Sequence, residues 1–272
     1  MSKFAPRLPA YLDHFEIHLV DHCNLNCKSC MHFAPCADGK FFLSKEMFAK
    51  EMKRIAELVE DKHVGIYLMG GEPLLHPELL ELCKIGKETY PCGGFQVVSN
   101  GIELLKKDDA WFDEFNKLNI SFRLTDYHLN PEIKNVFEKK IIKKWYSNSD
   151  KFKHAQLNFN PKYDKEESTS FCDSVPGGMT PCLKEGYLYL CPKMAYKENF
   201  EKKFGVKLGE PSETYGINIF DHSKEELLKY LNTPNDFCKY CNSKKVWMIG
   251  ARVHPRRNGE SLDIHEWIEE EN

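Results

Sequence analysis

The sequence predicts an α/β fold on a mostly parallel sheet, opened or closed into a barrel. Three observations lead there. Compact apolar runs alternate with amphipathic stretches of about 10–15 residues, the pattern of βαβ units. Glycine, asparagine or aspartate bounds most of the runs. The stretches that look chemically active, DHCNLNCKSC, GGEP, SNG and TDY, all fall at carboxyl ends of predicted strands, where α/β barrels carry their functional loops.

The elements follow in order. FEIHLV (15–20) alternates and runs into the cysteine loop, so it is the first strand. Ser44, with Lys45 and Glu46 behind it, opens a helix whose Phe48, Met52, Ile55, Leu58 and Val59 recur at helical spacing to about residue 60. VGIYLMG (64–70) is strand two. HPELLELCKIGKETY is a helix from Pro77, with Cys83 on its apolar face and Cys92 in the loop beyond. FQVVSNG (95–101) is strand three, 108–117 a helix, and ISFRLTDY (120–127) strand four. PEIKNVFEKKIIKKWY reads as one helix, with Lys139–Lys140 and Lys143–Lys144 on its solvated side, and HAQLNFN (154–160) as a fifth strand. The pattern then changes: Gly177–Gly178 lead into TPCLKEGYLYLCPK, a hairpin turning at Glu185–Gly186. SKEELLKYLN (223–232) is a short helix, and FCKYC precedes a polar, irregular end. The predicted domains are 1–165 and 166–272.

At 272 residues the chain can bury a substantial core. A net charge of −3 argues against nucleic acid held by bulk electrostatics. No run of about 18 apolar residues would span a membrane. MSKFAPRLPAYLDHF lacks the apolar region of a secretory signal, so a cytoplasmic location is expected. In that compartment eleven cysteines point to metal or iron–sulfur ligation rather than disulfides.

Cys23, Cys27 and Cys30 stand at C-x3-C-x2-C, with Cys36 close behind. Three thiolates can hold a four-iron cube and leave one iron open to a small molecule. The alternative is a zinc knot completed by His32 or Cys36. This loop, together with MGGEPLL at the next strand end, resembles the radical S-adenosylmethionine (SAM) superfamily. The resemblance implies a partial (β/α)6 TIM-type barrel and a SAM molecule on the open iron. It also implies SAM contacts from Gly70, Gly71, Glu72 and Pro73, from Ser99 and Asn100 in VVSNG, and from Arg123 and Thr125 on strand four. The family usually has an aromatic residue before the third cysteine to pack on adenine; Ser29 stands here, and His32 or Phe33 is expected to take that role. Cys36 is a candidate hydrogen-atom donor, against a plain packed thiol.

Further on, Cys172, Gly186 and Cys191 follow the spacing C-x13-G-x4-C, and Cys238 and Cys241 form a C-x2-C pair. This resembles the SPASM and twitch domains of the superfamily, which hold auxiliary four-iron clusters. With no cysteine after Cys241, the shorter twitch form fits better. The implied ligands are Cys172, Cys191, Cys238 and Cys241, with Cys182 as a possible replacement for Cys172; the alternative is a structural zinc ribbon. CNLNCKSCMHFAP, FRLTDY, GYLYLCPK, FCKYC and EWI also resemble radical SAM proteins encoded among polysaccharide and glycosyltransferase genes.

The family chemistry implied is reductive cleavage of SAM to a 5′-deoxyadenosyl radical, which takes hydrogen from substrate. Two 4Fe-4S clusters, SAM and an electron donor such as flavodoxin or ferredoxin are the expected cofactors and partner. A small polar substrate is expected: a sugar, cyclitol or nucleotide-linked sugar, dehydrogenated or epimerised. Peptide modification and a non-catalytic zinc-stabilised adaptor are the alternatives. Molybdenum-cofactor cyclases share the architecture, but LDIHEWIEEEN, from Leu262 onward, lacks their glycine-rich tail.

Overall fold

A computed structural model describes residues 14–60, 62–148, 153–174, 181–248, 257 and 261–269. The amino-terminal stretch before residue 14 and the Gly177–Gly178 lead-in lie outside the described residues.

Five strands, β1 (His14–Val20), β2 (Gly65–Gly70), β3 (Gly94–Ser99), β4 (Ser121–Asp126) and β5 (Lys144–Asn148), pair in parallel in the order β5-β4-β3-β2-β1. Helices α1 (Lys45–Leu58), α2 (Leu79–Thr89), α3 (Asp109–Lys117) and α4 (Pro131–Lys140) connect them. Spatial order that follows chain order is the winding of a barrel, not of a doubly wound sheet. Alternate strand residues face opposite ways. Phe15, Ile17, Leu68, Val97 and Phe122 are buried on the helix-facing side, where Phe122 meets Phe115 of α3 and Phe137 of α4.

Two expectations about the fourth helix and fifth strand are corrected. The helix over 131–146 stops at Lys140; Ile141 is extended, and Lys144–Asn148 becomes β5. The helical stripe ends with buried Ile133, Phe137 and Ile141, while Ile142 and Trp145 are exposed. The backbone of β4 therefore gains a partner from Trp145 and Tyr146, residues suited to strands. Lys144 accordingly lies on a strand rather than a helix face. HAQLNFN supplies β6 (Lys153–Leu157), which does not join the parallel sheet.

The chain continues through α5 (Lys165–Ser174) to the predicted hairpin, β7 (Cys182–Lys184) and β8 (Tyr187–Tyr189). Glu185 (φ 51°) and Gly186 (φ 79°) both take the left-handed region, as a tight two-residue turn requires. β7 lies parallel to β1 on its free side, so the main sheet runs on across the boundary expected near residue 165. Next come α6 (Pro192–Phe204), α7 (Ser212–Tyr215), β9 (Ile217–Asn218) beside β8, and α8 (Lys224–Leu231), which starts in a Ser223/Glu226 capping box. β10 (Cys241–Met248) pairs antiparallel with β6.

The final described segment is bound tightly. Trp267 is buried among Phe33, Phe200 and Phe204, and its indole N–H donates to the carbonyl of Cys30 at 2.9 Å. Glu269 accepts from Asn158 and Asn242, both at 2.6 Å.

Glu51 joins α1 to the hairpin. It is fully buried, and its Oε1 accepts the N–H of buried Gly186 at 2.8 Å. Burial pushes this carboxyl from its ordinary 4.5 up to about 8. The folded state then holds a proton that the unfolded chain releases, so this group's contribution to stability falls as pH rises from about 4.5 to about 8. Urea denaturation across that range is expected to show a shallower decline for Glu51→Gln than for the parent. Glu51→Ala is expected to lose about 1–3 kcal/mol, because the Gly186 N–H is left dry and unpaired.

Candidate functional site

The cysteine loop leaves β1 and turns tightly at Ser29 (φ 56°) and Phe33 (φ 46°). Cys27 is buried, and Cys23 and Cys30 are half-buried. Hydrogen-bond donors converge on the sulfurs. The Leu25 N–H lies 3.4 Å from Cys23 Sγ, the Asn100 amide 3.7 Å from the same atom, and the His32 and Ala34 N–H groups point at Cys30. The Tyr127 hydroxyl donates to Cys27. Burial pushes all three thiols up, helped at Cys23 by Glu72 and at Cys23 and Cys27 by the neighbouring thiols; a bound cationic centre reverses that, and donors aimed at sulfur suit thiolate ligands. Among the described residues no three cysteine sulfurs lie within 4.8 Å of one another. A tetrahedral zinc needs its sulfurs about 3.8 Å apart. The wider set fits one thiolate per iron of a cluster better than a single zinc ion.

GGEP locks onto this loop. A Cβ at Gly70 (φ 122°) would sit 2.3 Å from the Val20 carbonyl oxygen, and one at Gly71 1.8 Å from that of His22. The Gly71 N–H donates to Val20 O and the Glu72 N–H to His22 O, both at 2.9 Å. The close approach that these glycines permit is therefore to the cysteine loop itself. Glu72 is buried and faces no lysine or arginine among its hydrogen-bond partners in the described residues. Its oxygens accept from Ser99 Oγ (2.6 Å), Leu74 N (3.0 Å) and Asn100 N (3.0 Å), while burial pushes it up to about 7. Pro73 begins a 3-10 turn, Pro73–Leu75. The Asn100 amide also donates to Asn24 Oδ1 at 2.8 Å. Glu72, Ser99, Asn100 and Cys23 thus form one connected network.

The sheet face opposite the helices is polar. Arg123 lies over the Tyr67 ring at 4.8 Å, and Thr125 Oγ1 meets Ser147 Oγ at 2.9 Å. On β1, Glu16 and His18 are buried on this face, although the alternation of FEIHLV reads as a half-exposed strand. Burial raises Glu16 to about 8, with Arg123 opposing, and lowers His18. His32 reaches in from the cysteine loop, its Nε2 3.9 Å from Glu16 Oε2, and burial lowers it to about 4. One expectation changes here. Phe33 is fully buried against Phe200 and Trp267, so its ring has no face to offer adenine. Cys36 closes the 3-10 turn Ala34–Cys36 and packs into the core.

The later cysteines converge from four elements: Cys172 on α5, Cys191 capping α6, Cys238 in the turn Asp236–Tyr240 and Cys241 opening β10. Burial raises the Cys172 thiol, and neighbouring Cys241, Cys191 and Cys238 raise it further. Cys182, buried on β7, feels Glu16 before Cys191, and neither Cys238 nor Cys241 contributes to its shift. Buried Lys193 places a positive charge beside Cys191, Cys172 and Cys241. Sequence reasoning quoted Tyr127 and Trp267 within FRLTDY and EWI but gave neither a role; here one bonds Cys27 and the other the Cys30 carbonyl. A separate cavity lined by Tyr187, Tyr215, His222 and Lys239 has no cysteine in its wall among the described residues.

The sequence profile of the Radical SAM superfamily matches residues 17–159. The GTP 3′,8-cyclase of Staphylococcus carnosus (strain TM300) is 30% identical over 141 residues, covering 50% of this chain and 41% of that protein. The GTP 3′,8-cyclase of Limosilactobacillus fermentum is 28% identical over 126 residues, covering 44% and 36%. The chain thus spans about two fifths of the length of these relatives. The solved structure of BtrN in complex with AdoMet and 2-DOIA superposes with a TM-score of 0.50 at 17% identity, covering 88% of this chain and 94% of that one, a likeness of fold. No helix among the described residues is long and apolar enough to cross a membrane. With more than half of its length matched by the family profile, the chain belongs to the radical SAM superfamily.

Proposed function

We propose that the protein is a radical SAM enzyme acting on a small polar substrate: a sugar, cyclitol or nucleotide-linked sugar that it dehydrogenates or epimerises. One observation carries the substrate class. The sheet face beside the cysteine loop is lined by buried polar groups, and Glu16 Oε2, both ring nitrogens of His18, His32 Nε2 and Gln96 Oε1 have no hydrogen-bond partner among the described residues. Leaving such groups dry and unpaired costs about 1–3 kcal/mol each. A hydroxyl-rich ligand would satisfy them and an apolar one would not.

Cys23, Cys27 and Cys30 would hold a four-iron cluster, which, when bound, supplies the electron that cleaves SAM and starts radical chemistry on substrate. The chain's own part is positional. Gly70 and Gly71 hold the GGEP turn against the loop, and Glu72 holds Ser99 and Asn100 in place beside it. Arg123, Thr125 and His32 line the adjoining space. Cys172, Cys191, Cys238 and Cys241 would hold a second cluster, with Cys172 favoured over Cys182 by its surroundings. An auxiliary centre suits an oxidative outcome, since it can accept an electron from substrate. Core-packed Cys36 supports the structural reading of that thiol over hydrogen-atom donation. A flavodoxin or ferredoxin is the proposed reductant, in the cytoplasm.

Protein purified without oxygen is expected to carry about eight irons per chain, four for each cubane. With dithionite it should convert SAM to 5′-deoxyadenosine. Zinc alone, with SAM untouched, would overturn the assignment. Cys172→Ala should lower the iron to about four and leave SAM cleavage detectable, whereas Cys182→Ala should leave about eight; the reverse pattern would hand the ligand role to Cys182.

Glu72→Gln replaces one acceptor oxygen of the network with a donor. Equilibrium dialysis is expected to show SAM affinity reduced about tenfold, in line with the 1–3 kcal/mol of a misplaced buried hydrogen bond.

A further inference from the structure

Glu16, His18 and His32 form a compact group separate from both cysteine sets. One ligand atom from each lies within 4.8 Å of the other two. Glu16 Oε2 sits 3.6 Å from His18 Nε2 and 3.9 Å from His32 Nε2. Those separations are too long for hydrogen bonds. They are close to the edge of about 3.4 Å expected of a tetrahedron with ligand bonds near 2.1 Å.

Burial makes the arrangement hard to explain as packing. His18 is 0% and Glu16 8% exposed. Among the described residues Glu16 Oε2, His18 Nε2 and His32 Nε2 all lack a hydrogen-bond partner. The neighbouring cations form no ion pair with the carboxylate among the described residues: Lys184 Nζ donates to Ala195 O at 3.1 Å and lies over Tyr196, while Arg123, whose charge acts on Glu16 from a distance, lies over Tyr67. Among the described residues the ion pairs of Glu16 are with the two histidines. The imidazoles are held by packing. His18 stacks on Tyr196 at 5.1 Å and meets His32 edge-on at 4.9 Å. Their directions come from β1 and from the cysteine loop, elements that GGEP already fixes relative to one another.

We propose that Glu16, His18 and His32 bind a divalent transition-metal ion on the polar face of the sheet. Two imidazole nitrogens and one carboxylate oxygen are a donor set used by zinc and by non-haem iron. Three protein ligands leave coordination positions open, which suit the paired oxygens of a hydroxyl-rich ligand. The cysteine ligands take no part.

Zinc is the probe. Protein reconstituted anaerobically with iron and sulfide is given one equivalent of zinc, freed of unbound metal, and examined by elemental analysis and zinc-edge X-ray absorption. About one zinc per chain is expected, with nitrogen and oxygen neighbours at about 2.0–2.1 Å. Glu16→Gln and, separately, His32→Gln should each retain at least tenfold less zinc with unchanged iron and sulfide, which also shows that the variants have folded. Overturning results are no zinc retained by the parent, zinc surrounded by sulfur at about 2.3 Å, or zinc retained equally by both variants.

Discussion

The contact between Gly70–Gly71 and the backbone of Val20 and His22 is the constraint on which this architecture depends. Adjacent parallel strands set their own spacing, but nothing in a sheet ladder dictates where the loops beyond it go. Here the second strand's exit is hydrogen-bonded to the first strand's exit at two successive N–H groups, at a distance no side chain allows. Glu72 follows directly and extends the connection to Ser99 and Asn100 at the end of β3, and Asn100 returns it to Cys23. Three strand ends and the cysteine loop are thereby tied into one hydrogen-bonded unit. That is the rigidity a pre-organised site requires.

The sheet is unlike on its two faces. Toward the helices it buries close-packed aliphatic and aromatic side chains, which supply the favourable free energy of the fold. Toward the other side it buries Glu16, His18 and Gln96, which work against it. A chain selected for stability alone would fill these positions with valine or leucine. Retaining them points to a site whose chemistry outweighs their cost, as expected where local rules are broken around function.

Much of this was readable in the sequence. Strands β1 to β4, helices α1 to α3 and the Glu185–Gly186 hairpin follow from periodicity and turn chemistry, signals carried within each segment. What was not readable depends on partners distant in the chain. Nothing local ends α4 at Lys140; the unpaired edge of β4 does, by recruiting Trp145 and Tyr146. β6 has a strand's composition, but its partner β10 lies far downstream. The site shows the same division. The cysteine spacing announced itself, whereas burial of the polar side of FEIHLV, the commitment of Phe33 to the core and the bond from Tyr127 to Cys27 all required three dimensions.

The bond from Trp267 to the Cys30 carbonyl joins partners 237 residues apart. During synthesis, Cys23, Cys27 and Cys30 leave the ribosome long before that indole exists. Until it arrives, the Phe33 ring also lacks one wall of its pocket. The loop can take the shape described here only once Trp267 has been released. A chain that stops short of Trp267 would carry the three cysteines without that bond to the Cys30 carbonyl.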